Sequence, residues 1–488
     1  MMKTADNFGR WLNQPKGFFI PLLTMMLMFV GFTLIQSLTV LYATQKLGFT
    51  DKQAYTLFAA YFSLLFGLPF FGGYIGGRWL GSLLSVSLGL ILSTLGLFSL
   101  SIPTLTNFYL GLSAFVVGVA LYVPNLYVVL GRLYQPGDYR RDSGFTLNYM
   151  GFNIGGLFGM AASGYLVKYY SYHFTFLIGA LLGVVALIIF FAGLSRLTQI
   201  KDEKHTKKSR ILGVVLALIA IPLTSLLLDH AQFNNALLLT TGIAAAILTI
   251  VLAMRETGES RKKMFAFLIL LIIGLAFWTL YSLVPSVLEL FMERNVNREV
   301  FHSIIPTSSL TSLNPFFIVT VGALLTAVWI YLGKRNSAPS LATKFCIAVL
   351  LMGAGYLVLI PGIHYSNALG QVGIGWIVIS YFLQTTGELF IGPIGFSMVG
   401  TLVPKRFENL MMGIWQLATG VSCALSSYLA LLAAAPEKIK DPLQTNPIYT
   451  HSFAVYGGMT VTVGLIAVLF IPKLKKIIGK SKPLSTFH

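Results

Sequence analysis

SRLTQIKDEKHTKKSR, residues 195–210, places six Lys and Arg side chains between two long apolar stretches of a 488-residue chain. A second basic run, RETGESRKK at 255–263, closes off a shorter apolar segment. Outward from these two runs, apolar segments occupy 18–44, 53–76, 80–101, 108–131, 144–167 and 174–195 before the first. Between the two lie 211–228 and 236–254, and after the second come 264–288, 312–333, 343–362, 372–402, 409–434 and 452–472. Roughly 20 apolar residues cross the hydrocarbon core of a bilayer, so the pattern predicts about 14 transmembrane helices in a six, two, six arrangement.

Composition agrees with that division. The chain is 56% hydrophobic and 10% charged, with a mean hydropathy of +0.78, more apolar surface than a soluble core could hide. It reads as an all-α polytopic membrane protein. The formal charge of +18 would suit a nucleic-acid partner only if the basic groups were gathered on one folded surface. Instead they sort by side of the membrane. With the N-terminus placed in the cytoplasm, all but seven of the 34 Lys and Arg residues fall on the cytoplasmic side. The seven are Lys46, Lys52, Lys168, Arg294, Arg298, Lys438 and Lys440. This is the positive-inside pattern, which puts both termini in the cytoplasm and excludes nucleic acid as a partner. The expected organisation is a cytoplasmic N-terminus (1–17), an N-terminal six-helix bundle (18–195), basic linkers with two inserted helices (196–263), a C-terminal six-helix bundle (264–473) and a basic cytoplasmic tail (474–488). The first 16 residues are polar and the first apolar run is long enough to span, so no cleavable signal peptide is expected.

Inside the apolar segments one charge stands out. Glu388 lies in QTTGELFIGP, 384–393, and a carboxylate there is costly unless it faces water, a partner or a ligand. Asp229 and Glu289 are placed near span ends, leaving Glu388 as the one deep acid, and Gly392-Pro393 just beyond it suggests a broken helix lining a cavity. His173, His230, His364 and His451 fall near span ends and form no proton relay. Cys346 and Cys423 sit in separate spans without metal or disulfide spacing, and Met25, Met26 and Met28 read as adaptable packing. No nucleophile with its base, metal cluster or phosphate loop is present, so neither an enzyme nor a cofactor or metal is expected.

Several segments resemble the proton-dependent oligopeptide transporter family of the major facilitator superfamily. They are Leu57 to Ser63 with Gly72-Gly73-Tyr74-Ile75 and Arg78-Trp79-Leu80-Gly81; Arg140-Arg141-Asp142-Ser143-Gly144-Phe145 with Tyr149, Asn153 and Gly155; Arg294 to Arg298 with Ser312 to Ile318; Gly387-Glu388-Leu389 with Pro393, Gly395 and Ser397; and Gly413-Ile414-Trp415. Each is weak alone, and five in order are strong. The resemblance implies a major facilitator fold, two six-helix bundles plus the two inserted helices that bacterial members carry, in the bacterial inner membrane. It implies a monomeric transporter whose partners are a peptide or amine-bearing solute, protons and lipid. Residue by residue, it makes Glu388 the acid that pairs with a peptide amino terminus. Asn153 and Asn314 become substrate-contacting amides, and Tyr61 and Trp415 aromatic pocket residues, with Tyr149 and Gln36 beside them.

The departures are as informative. Where the family carries a Glu-x-x-Glu-Arg-Phe motif followed by tyrosines and a second arginine, this chain reads MMLMFVGFTLIQ, 25–36. Phe29, Gln36 and Val123 stand where the resemblance would place cations, Ser282 where it would place the partner glutamate of the fourth-span lysine, and Gly77 where it would place a loop aspartate. Losing both members of a buried pair strands no charge. The carboxylate-recognising and first-span coupling roles therefore do not carry over, and Glu388 remains the proton-coupling candidate. The expected function is secondary or facilitative transport of di- and tripeptides or peptide-like amines by alternating access. The alternative is a transporter-derived sensor or scaffold that binds without translocation. Each site residue also has a plain reading: Tyr61 and Trp415 as packing aromatics, Asn153 and Asn314 as interhelical hydrogen-bonding groups, Glu388 as a structural acid.

Overall fold

The computed structural model describes residues 14–135, 138, 140–197, 205–335, 337, 339–436, 439 and 441–478. The centre of the first basic linker (198–204), Lys438, Lys440 and most of the expected tail lie outside them. Among the described residues, 14 helices are long and apolar enough to cross a membrane. They are α1 (Phe19–Gln45), α2 (Asp51–Ile75), α3 (Ser82–Leu100), α4 (Leu105–Arg132), α5 (Arg140–Tyr169), α6 (Tyr172–Leu197), α7 (Lys207–Asp229), α8 (Ala231–Arg255), α9 (Gly258–Tyr281), α10 (Leu313–Lys334), α11 (Leu341–Leu357), α12 (Ile374–Leu402), α13 (Glu408–Ala430) and α14 (Pro442–Ile478). Helices are the element an apolar chain must form in lipid, because they satisfy every backbone group internally. Hydroxyls mark several starts: Thr104, Thr206 and Ser340 accept from the backbone N–H three residues on, at 3.1–3.2 Å, capping α4, α7 and α11.

The chain forms two compact units. The first comprises Met1–Tyr42, Leu64–His230 and Ser308–Ser312; the second comprises Ala43–Ser63, Ala231–Thr307 and Leu313–His488. The inserted pair is thus divided, α7 in the first unit and α8 in the second.

In the first unit α4 packs on α3 and α7. Leu80, Leu92, Val117, Leu121 and Ala217 form one buried cluster there. Gly72 lets α2 approach so closely that a β-carbon would collide with the backbone of Ala120. The Asn125 amide then reaches the Gly72 carbonyl at 3.3 Å and its own helix at Leu121 O, 2.8 Å. Helix α2 runs into a π-helical turn, Gly76–Leu80, closed by Gly81 at φ 83°, a conformation glycine adopts without strain.

In the second unit α11 packs on α12 and α14, and α13 packs on α8 and α9. Helix α8 is fixed to the start of α2 by buried amides: Asn234 donates to Ser63 Oγ at 2.9 Å and Asn235 to Thr56 O at 3.3 Å. A nearly buried ion pair, Arg294 with both oxygens of Asp51 at 2.6 and 2.8 Å, ties the same segment to the end of the α9 span. That span is longer than the apolar run 264–288. After α9 the chain passes through a π-helical turn, Val284–Leu288, kinked at Pro285, and a further helix, Glu289–Asn295. A parallel pairing of Val296–Asn297 with Val372–Gly373 and a hairpin of Glu299–Val300 with Ser303–Ile304 follow.

The expected break at Gly392-Pro393 does not occur. Helix α12 continues without interruption to Leu402. Proline forfeits one backbone donor, a loss that a long membrane helix packed among neighbours absorbs.

Candidate functional site

Glu388 sits at the middle of α12, half-buried, and neutral donors hold it. Asn314, in the first turn of α10, donates its side-chain amide to Glu388 Oε2 at 2.8 Å and to Thr385 Oγ1 at 3.1 Å. Tyr281, the last residue of α9, hydrogen-bonds the same carboxylate. Thr385 and Glu388 share a face because they are three residues apart on a helix. The second unit therefore presents one carboxylate braced by an amide and a phenol from two other helices.

Of the other predicted residues in this unit, Trp415 is 4% exposed on α13. Its indole packs so tightly against Gly395 of α12 that a β-carbon there would collide with it, and it lies against Gly274 of α9. Tyr61 is fully buried, its ring edge-on to Phe62 at 5.4 Å. Asn314 touches Glu388 directly. It performs the interhelical bonding that its plain reading implied while orienting the acid.

The first unit holds the remaining three. Asn153, buried on α5, donates to the backbone carbonyl of Tyr149 at 2.9 Å, and Tyr149 is 45% exposed. Gln36 is half-buried on α1. Of the three positions where the resemblance would place cations, Phe29 carries a ring that lies 4.7 Å from both Phe32 of α1 and Phe152 of α5, and Tyr149 lies 4.7 Å from Phe152. Ser282, at the position of the missing glutamate, donates to Trp278 O at 2.8 Å and meets Cys423 Sγ at 3.3 Å. The missing charges are thus replaced by a ring within an aromatic cluster at Phe29, by the neutral Gln36 and Val123, and by a satisfied hydroxyl at Ser282.

Two residues escaped the sequence reading. Tyr281 lay inside an apolar run that gives an aromatic no polar flag. Glu289, expected near a span end, is fully buried. Glu388 is therefore not the single acid withdrawn from the surface among the described residues; the helical segment that runs on to Asn295 packs Glu289 inside the second unit. Its signal is a carboxylate with apolar neighbours on both sides, at the edge of the apolar run 264–288.

A family model described as the POT family matches residues 82–448. The chain belongs to the POT family. Dipeptide and tripeptide permease B of Aliivibrio fischeri (strain MJ11) is 32% identical over 485 residues, 98% of each chain. The permease of the same name from Salmonella typhimurium is 32% identical over 475 residues, 96% of this chain and 97% of that one. Among solved structures, a peptide transporter POT in complex with alafosfalin is 25% identical, with a TM-score of 0.85 and 96% of both chains covered. Tetrameric PepTSo2 is 25% identical, with a TM-score of 0.84, covering 94% of this chain and 98% of that one. This POT-family chain is thus an integral membrane protein with the major facilitator fold, and its relatives are permeases rather than enzymes.

Proposed function

We propose that this chain transports di- and tripeptides or peptide-like amine-bearing solutes across a bacterial inner membrane by alternating access. The two six-helix bundles, 18–195 and 264–473, act as the moving halves, both termini face the cytoplasm, and one chain is the transporting unit. The observation that carries this reading is Glu388, a half-buried carboxylate held by Asn314 and Tyr281 and by no cation that the sequence places in mid-membrane. Such a group takes an ammonium as its natural counter-charge, and hydrogen bonds to charged partners are the strong ones. Asn153, Tyr61, Trp415, Tyr149 and Gln36 complete the solute site in this reading. The names of the permease relatives and of the peptide-transporter structure support peptides as the solute class.

Selectivity follows from the asymmetry of charge. With Phe29, Gln36 and Val123 in place of cations, a substrate carboxylate has no fixed partner, so capping it as an amide strands nothing. Binding of alanyl-alanine, its C-terminal amide and its N-acetyl derivative to the purified protein tests this. The amide should bind like the parent, and acetylation should weaken binding roughly tenfold to a hundredfold, the scale of one charge-assisted hydrogen bond. Greater damage from amidation would sink the assignment. A binding-only sensor is the second reading, favoured by the Phe29–Phe32–Phe152 cluster that replaces the first-span charges. Counterflow of labelled alanyl-alanine in proteoliposomes separates the two, since a sensor binds without exchange.

A further inference from the structure

Glu289 is the most conspicuous group that the solute site leaves unused. It is 0% exposed, and neither carboxylate oxygen has a hydrogen-bond partner among the described residues. The charges around it are committed elsewhere. On its own segment, Glu293 bonds Arg298 at 3.2 Å, and Arg294 is taken by Asp51. On α14, Tyr449 stands beside Arg294 and Tyr55. From α12, Tyr381 is the titratable group within electrostatic reach of Glu289, and its hydroxyl too is buried without a partner among the described residues. A bare carboxylate cannot be kept ionised in such a position without a counter-charge. A bound proton removes the charge.

The place of Tyr381 gives that proton a direction. Residues 381, 385 and 388 recur at helical spacing along one face of α12, so Tyr381, Thr385 and Glu388 form a polar line through the second unit. Its far end is Glu388 with Asn314; its near end, Tyr381, lies within electrostatic reach of Glu289. We propose that Glu289 is a second proton-binding carboxyl group of this chain, protonated while buried and exchanging its proton during the transport cycle, with Tyr381 between it and the Glu388 site. The step is a plain protonation, one carboxylate and one proton giving one neutral acid. It rests on the transport reading.

Two measurements test it. Infrared difference spectra of the Glu388→Gln protein at neutral pH should retain a neutral-carboxyl band, which disappears when Glu289→Gln is added. The first of these proteins leaves Glu289 unaltered, so the reading does not depend on how that substitution folds. In proteoliposomes, a pH gradient should drive accumulation of alanyl-alanine by the unaltered protein. Glu289→Gln should lose that stimulation while retaining counterflow. Absence of the band, gradient stimulation that survives Glu289→Gln, or counterflow by an unaltered protein indifferent to the pH gradient would each overturn the proposal. So would accumulation that follows a sodium gradient instead. Absence of counterflow in the unaltered protein strikes the transport reading itself, so the two failures are distinct.

Discussion

Asp51 and Arg294 show what a single pair does in this fold. Both side chains are nearly buried, the guanidinium spans both carboxylate oxygens, and Asp51 also accepts from the backbone N–H of Ala435 at 3.3 Å. Removing one partner leaves the other charge stranded, so Asp51→Ala should cost about 3–5 kcal/mol in detergent unfolding, with much of the loss recovered in the Asp51→Ala, Arg294→Leu double variant. Equal instability of the double variant would show that the pair is not the source. At Glu388 the expectation differs, because its partners are neutral. Glu388→Gln should leave unfolding unchanged within about 0.5 kcal/mol, the range of a tolerated substitution, yet weaken amine binding; normal binding by that variant would leave Glu388 a structural acid. The sequence revealed Glu388 because an acid interrupts an apolar run, and Asn314 because the segment Ser312 to Ile318 resembles the family's. It concealed Glu289 because hydropathy cannot register a kink, and the turn at Pro285 carries the helix onward with the acid inside.

Among the elements, α8 is the clearest case of a lipid-facing helix fastened by a few polar bonds. Its long face is exposed, while Asn234 and Asn235 are buried against the start of α2. Asn234→Leu should therefore cost about 0.6 kcal/mol and at most roughly 1.7, the range of interhelical hydrogen bonds measured in membranes. A larger loss would mean that the amide organises more than this contact. The hairpin 299–304 carries a different kind of cost. Phe301 and His302 have φ of 48° and 62°, values that a two-residue turn demands and that Asn-Gly satisfies more easily. Replacing the pair by Asn-Gly should stabilise the protein by about 1 kcal/mol, read as a rise in melting temperature. Helix number and order were legible because lipid forces apolar segments into helices. Pro393 misled because proline's missing donor marks a weak point in a helix and does not by itself end one.

At the scale of the whole molecule, both native cysteines are buried, which makes added thiols clean reporters of sidedness. Ser303→Cys, in the exposed hairpin, should react with an impermeant maleimide applied outside intact cells, and Thr257→Cys only after permeabilisation. The reverse pattern would invert the positive-inside assignment. The two compact units were not legible, because contact rather than sequence order places Ala43–Ser63 with the second half of the chain. The setting of Glu388 has a final consequence, one of voltage. Its carboxylate is held by an amide and a phenol, so the ionised empty site carries an uncompensated negative charge, which a proton or a solute of net charge +1 cancels. The electric field across the membrane then acts on the ionised, unloaded carrier and spares one loaded with a proton or with a solute of net charge +1. A charge crossing the full potential responds by roughly 2.3 kcal/mol per 100 mV, less for one crossing part of it. An interior-negative potential therefore resists an empty Glu388 moving inward and favours its movement outward, so the resetting half of an uptake cycle should quicken as the membrane is polarised.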